Sequence, residues 1–325
     1  MNNIKNLTVL DDMKRNRNTP KINFLSFTLV LFFFSCVPTN SDEKPVITNN
    51  LTLMESAFGK FKSITYRSDE KYFYISSTGI PDHNMMIGIT NWQQQVPINQ
   101  TYTDNNSWAI PLKPELSPNP LSMKTNLMKG AIAIAANGIP IFNPLNNRGE
   151  DANAIGELDQ WGGHSGKADD YHYHLPPTHL QDEVGVGKPI AFAMDGFPVY
   201  GETTEKLDEF LGRINSDGSY QYHTIKQYPY FIASMRGKVT LDPATSAPEN
   251  QVIPQAITKG VRPPQTPLSG ATIVNFKSTS TNAFSLQYKL NTENYFINYN
   301  WDSNNNYTFE FISPNGAKKT EIYKR

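Results

Sequence analysis

Cysteine is almost missing from this chain: its 325 residues include one, Cys36. No intramolecular disulfide can form, and thiolate-based zinc sites are excluded. Charge is also sparse, at 18% of residues, and balanced at 29 Lys+Arg against 30 Asp+Glu. A nucleic-acid binder would carry a basic excess, so that class is excluded. With 23 Pro and 20 Gly spread along the chain, long helices are disfavoured. The apolar stretch Ile22–Phe34 covers 13 residues, interrupted by Asn23, Ser26 and Thr28, whereas a comfortable bilayer span needs about 20.

That stretch has the form of an export signal. Lys14, Arg15, Arg17 and Lys21 precede it and Ser35-Cys36 follows, a small residue before a cysteine where a lipoprotein signal peptidase would cut. Residues 1–35 are therefore expected to be a lipoprotein signal peptide and Cys36 the lipidated residue. Phe33 and Phe34 are bulkier than usual at such a site, and an uncleaved short anchor is the alternative. The expected location is the bacterial cell envelope, lipid-anchored at the outer membrane or cell surface. Ser41-Asp42-Glu43 resembles the acidic signal that places some lipoproteins outside, although a solvated linker has the same composition. Losing five basic and two acidic residues would leave 24 Lys+Arg against 28 Asp+Glu, a formal charge of −4.

Residues 36–58 are expected to be a tether. From Phe61 the chain reads as strands, with Phe61–Arg67 and Lys71–Ser77 rich in β-branched and aromatic residues. Only Glu202–Leu211 looks helical. Ala131–Ala136 leads through Asn137-Gly138 into Ile139–Phe142, and Ile190–Met194 leads through Asp195-Gly196 into Phe197–Tyr200. Both are hairpin signals, with two turn residues expected to take positive φ. These hairpins repeat at an offset of 58, and Leu158–His174 aligns with Leu207–His223 at an offset of 49. The expected fold is thus mainly β: a duplicated hairpin-plus-strand core (131–174 and 189–223) within a domain at 59–260, the copies related by a pseudo-two-fold axis. Val261–Gly270 reads as a linker, and residues 271–325 as a small C-terminal β unit.

The copies differ in chemistry. Copy one has His164 and His172 where copy two has Arg213 and Gln221; His174 and His223 are common to both. In Tyr171-His172-Tyr173-His174, a strand would place both histidines on one face, with Cα atoms about 6.6–6.8 Å apart. Two such imidazoles, joined by His164 from its Gly162-Gly163 loop, can hold one metal ion at about 2.0–2.1 Å. Imidazoles without thiolates point to copper or zinc, with nickel also compatible. His83 is a candidate fourth ligand, and Asp169 and Asp170 candidate orienting acceptors. Ligation needs neutral imidazole, so affinity should fall below a pH of about 6.5. Equally open is a network of imidazoles and tyrosines that braces the sheet with no ion.

Asn137-Gly138-Ile139-Pro140, Asp159 through Gly163-His164, Tyr171–His174, Asp195–Gly201 and Tyr228-Pro229-Tyr230 together resemble the YHYH-domain family of secreted or lipid-anchored proteins. The resemblance covers roughly residues 60–240. Members often carry cysteines where this chain has Trp161 and Phe210, which implies an aromatic contact standing in for a disulfide. They commonly carry a histidine at the place of Gln221.

The expected function is that of an extracytoplasmic lipoprotein with one asymmetric transition-metal site. If it is an enzyme, metal-activated water would attack an extracellular polymer or small ester, with Asp159 or Asp195 as general base. Asp195 reads equally well as a turn residue. The rival class is a surface binding or structural module for a glycan or protein, its histidines structural.

Overall fold

The computed structural model describes residues 48–325. The export signal, Cys36 and the first part of the expected tether lie outside these residues. The rest of that tether is not a tether: Leu51–Phe58 forms a helix, α1, with Met54, Ala57 and Phe58 buried. Leu51, Met54 and Phe58 recur at helical spacing, so one face is apolar and packs inward. Asn50 fastens its start by donating to the Gly196 carbonyl at 3.0 Å.

The fold is mainly β, as expected. Strands β1 (Thr65–Ser68), β2 (Tyr72–Ser76) and β3 (Trp108–Pro111) form one antiparallel sheet. Strand β4 (Leu116–Ser122) pairs with a later strand, β13 (Ser234–Gly237). The centre is an eight-stranded sheet. Its first four strands are β5 (Ala131–Ala135), β6 (Pro140–Phe142), β7 (Gly163–Ser165) and β8 (Tyr171–Tyr173). The others are β9 (Ala191–Ala193), β10 (Pro198–Tyr200), β11 (Gly212–Ile214) and β12 (Tyr220–His223). Strands β14 (Thr240–Leu241) and β15 (Val252–Ile253) make a short hairpin.

The order of the central sheet is β11-β12-β10-β9-β5-β6-β8-β7. Read outward from the middle, each side is hairpin, then parallel neighbour, then antiparallel edge. Ile134 lies opposite Phe192 at the junction, and these are equivalent residues at the offset of 58. Ile141 faces Tyr173 on one side and Val199 faces Tyr222 on the other. Strand β5 is buried at every position, which explains an unbroken apolar run in place of an alternating one.

Both hairpin turns differ from the expected geometry. Gly138 (φ 78°) and Gly196 (φ 93°) are left-handed, while Asn137 and Asp195 are not. Gly138 N–H donates to the Ala135 carbonyl and Ala135 N–H to the Ile139 carbonyl. That is a three-residue loop closed by a glycine bulge, in which only the glycine needs positive φ.

Glu202–Leu211 is not helical. Asp208 accepts from the Phe210 and Gly212 amides at 2.9 and 2.8 Å, which builds a turn there. The C-terminal unit is a five-stranded antiparallel meander of β16 (Ala271–Ser280), β17 (Ala283–Leu290), β18 (Glu293–Trp301), β19 (Asn306–Ile312) and β20 (Lys318–Lys324). It is no loose appendage: Ile273, Tyr299, Tyr307 and Phe309 belong to the same buried core as the central sheet. The expected linker before it is anchored too, by a buried pair between Arg262 and Asp169 at 2.6 Å. Among the described residues no helix is long and apolar enough to cross a membrane.

Candidate metal centre

Strands β7 and β8 are antiparallel neighbours, and His164 lies directly opposite His172. His174 follows β8 on the His172 side, because alternate residues share a face. Gly163 makes this approach possible, since a Cβ there would stand 2.5 Å from the Tyr171 hydroxyl. The candidate ligand atoms of His164, His172 and His174 all lie within 4.8 Å of one another. His174 Nε2 is 3.1 Å from His164 Nε2 and 3.1 Å from His172 Nε2.

The far side of each ring decides what those short contacts mean. His174 Nδ1 meets the Asn143 carbonyl at 2.5 Å, and His172 Nδ1 meets the Asp170 carbonyl at 3.0 Å. A carbonyl only accepts, so each Nδ1 carries the proton and each Nε2 of the neutral ring presents a lone pair. His172 Nε2 and His174 Nε2 thus face each other with no proton between them. Protonating a ring is opposed by burial: His164 is held well below the usual imidazole range, and His174 is pushed down to about 3. Desolvation is the main cause in both, and the neighbouring imidazoles add to it. Proton competition at His164 and His174 therefore begins well below the expected pH of about 6.5. The Phe142 ring stacks on His172 at 4.0 Å, His172 and His174 are buried, and His164 is partly exposed on the solvent side.

Copy two resolves the same geometry without lone-pair conflict. His223 Nδ1 donates to the Gly201 carbonyl at 2.9 Å, and the Gln221 amide donates to His223 Nε2 at 2.7 Å. The Gln221 oxygen accepts from Asn215 at 2.8 Å. Asn215 stands where copy one has Gly166, at which a Cβ would lie 2.8 Å from His172 Cε1. Arg213, the counterpart of His164, reaches toward Glu205 at 3.8 Å.

Several expected site residues lie elsewhere. His83 is not a fourth ligand of this cluster: its Nε2 meets the Tyr173 hydroxyl at 2.6 Å, on the opposite face of β8. Asp170 meets an imidazole through its main-chain carbonyl, which takes the His172 Nδ1 proton at 3.0 Å, and its carboxylate Oδ2 stands 3.3 Å from the same nitrogen. Asp169 is occupied by Arg262 and the Val96 amide. Asp159 accepts from Tyr171 (2.8 Å) and from the amides of Met86, Trp161 and Gly163. Asp195, fully buried, accepts from Tyr222 (2.6 Å), Gly237 and Phe197. Burial raises both carboxyls above their ordinary range while these donors oppose it. Such occupied carboxylates are braces, and neither suits the role of general base. Trp161 and Phe210 do not form a contact in place of a disulfide. Trp161 stacks on His83 at 4.8 Å and Phe210 lies under Arg236, beside strands at opposite edges of the sheet.

Sequence reasoning missed Asn143, Phe142 and His179. Phe142 already pairs with Tyr200 at the hairpin offset of 58, and extending that alignment by one residue pairs Asn143 with Gly201. His179 carries no such signal.

A sequence model of the family described as YHYH protein matches residues 107–209. No curated protein and no solved structure matches the chain significantly. The matched span holds β7, β8 and the three converging histidines, and it supports a YHYH domain over residues 107–209 of this chain.

Proposed function

We propose that this chain is an extracytoplasmic lipoprotein, anchored through Cys36 in the bacterial envelope, whose His164, His172 and His174 bind one transition-metal ion, copper or zinc. One observation carries the metal reading: two buried imidazole nitrogens meet at 3.1 Å with both ring protons committed to carbonyls. A cation at their convergence removes the repulsion, and three imidazoles suit copper(II) or zinc. The two halves are taken as a pseudo-two-fold pair of which one kept the site. Hydrolysis of an extracellular polymer or small ester by metal-bound water remains the chemistry to test, with the base supplied by something other than Asp159 or Asp195.

The rival reading, a surface module for a glycan or protein with bracing histidines, draws on the Gln221–His223 network of copy two, which is complete without an ion. Calorimetry on metal-stripped, tag-free protein separates the two. The metal reading expects about one equivalent bound at the triad, with affinity lowered by a factor on the order of 100 in His172→Ala and little changed in Gln221→Ala. If His172→Ala binds as the parent does and only lowers thermal stability, the bracing reading stands instead.

The anchor has its own test. Cys36→Ala should leave the protein out of the membrane fraction, because a single acylated cysteine is the only attachment proposed. A variant that still sediments with membranes and keeps residues 1–35 would end the lipoprotein reading.

A further inference from the structure

The opposite face of β8 carries a second cluster. Tyr173 is fully buried, and its hydroxyl oxygen is the meeting point of three side chains. His83 Nε2 lies 2.6 Å away, Asn137 Nδ2 3.0 Å and His179 Nε2 3.5 Å. His83 Nδ1 donates to the Asn84 carbonyl at 2.6 Å, so its Nε2 carries a lone pair and the Tyr173 hydroxyl donates to it. The His83 and His179 rings cross at a centroid distance of 5.1 Å, close to the 4.8–4.9 Å between rings of the triad. Trp161 stacks on His83 and meets the edge of His179, closing one side with an apolar wall. His83, His179 and Trp161 are each partly exposed, so the cluster is reached from the surface.

Copy two explains why this face is unusual. The equivalent hydroxyl, Tyr222, donates to Asp195 at 2.6 Å and accepts from the Arg236 amide at 2.7 Å. Asn137 stands in copy one where Asp195 stands in copy two. Exchanging a carboxylate for an amide removes the acceptor for the phenolic proton and substitutes a donor aimed at the oxygen. Burial holds this phenol protonated, well above its usual range, and the Asn137 amide opposes that; two imidazole nitrogens already face the oxygen, at 2.6 and 3.5 Å.

From this juxtaposition we infer that His83, His179 and Tyr173 form a second transition-metal site, with two imidazole nitrogens and the Tyr173 oxygen as ligands and copper(II) as the fitting ion. Binding breaks the phenolic O–H bond, releases the proton to solvent and forms a metal–oxygen bond, while the Asn137 amide keeps its hydrogen bond to the coordinated oxygen. This site is independent of the triad, which lies across the strand and offers only imidazoles.

Copper(II) chloride titrated into the full, tag-free chain tests it by visible absorption. A phenolate-to-copper charge-transfer band is expected, which copper on imidazoles alone does not give. The band should vanish in Tyr173→Phe, weaken about tenfold or more at fixed copper in His179→Ala, and survive in His172→Ala. His179→Ala alters a half-exposed side chain, so it keeps the test alive if Tyr173→Phe folds poorly. No phenolate band at two equivalents of copper, or a band unaffected by His179→Ala, would overturn the inference and leave the triad untouched. A band that persists in His172→Ala after the triad has failed its own calorimetric test would support this site alone.

Discussion

The two halves of the central sheet hold one imidazole in the same way and differ in what faces its free nitrogen. His174 and His223 each spend the Nδ1 proton on a carbonyl of the residue that follows the equivalent hairpin, Asn143 and Gly201. In copy two an amide donor, Gln221, completes the pattern at 2.7 Å. In copy one two further imidazoles occupy that space. Two sides of like strand order are thus finished by a hydrogen bond on one and left with converging lone pairs on the other. The supporting residues follow suit: Asp170 backs His172, whereas Ser219 at the equivalent place bonds to Asn215. The backbone decides where an imidazole can stand, and a few neighbouring side chains decide whether its free nitrogen meets a donor or other imidazoles.

If that is the whole difference, the site can be moved. Arg213→His with Gln221→His should create a second triad around His223, raising the zinc bound by one equivalent in calorimetry. Adding Ser219→Asp should tighten it further, by a factor of about 10, because a carboxylate behind the ring fixes its tautomer and raises its basicity. Failure with the fold intact, checked by circular dichroism, would show that ring packing also matters. Tyr200 lies 5.8 Å from His223 and tilted by 31°, whereas the corresponding rings Phe142 and His174 lie 6.3 Å apart at 77°.

The opposite exchange, His172→Gln with Asp170→Ser, gives copy one the residues of copy two. Triad metal binding should disappear, while the metal-free protein should gain about 1 kcal/mol from an amide that satisfies His174 Nε2. Its pH response should change as well. An imidazole held neutral by burial has a folded-state pKa below the unfolded value of about 6.5. Below that pH the unfolded chain takes up protons that the folded chain refuses, so stability falls as pH drops from about 6.5 toward about 3, the folded value for His174. Removing His172 takes away the field it exerts on His164 and His174, so the fall should be shallower. Thermal melts of metal-free protein from pH 7 to 4 would show it; an unchanged slope would mean that other groups govern the acid limb.

Much of this arrangement was legible in the chain. The offsets of 58 and 49 located the paired hairpins and strands, and the period of two in Tyr171–His174 put the histidines on one face. That face logic also settles His83, which shares the tyrosine side of β8 and meets Tyr173 there. The failures were local. The apolar residues of α1 are few and follow a polar stretch, so their helical spacing is short enough to pass for a tether. In Glu202–Leu211, residues of good helix propensity yield to the Asp208 turn, because a carboxylate bonded to two amides and to Tyr220 outweighs a weak preference.

By itself the sequence determined the mainly β class and the uneven placing of its histidines, since periodicity and turn chemistry are properties of neighbours along the chain. Which nitrogen of each ring is free, which aspartates are already occupied and which histidine crosses to the other face were decided only by tertiary structure. Those depend on partners far away in sequence, such as Asn143 for His174, 31 residues apart, and Tyr173 for His83, 90 residues apart. A ring proton goes to whichever acceptor the fold brings within reach, and no local pattern records that choice.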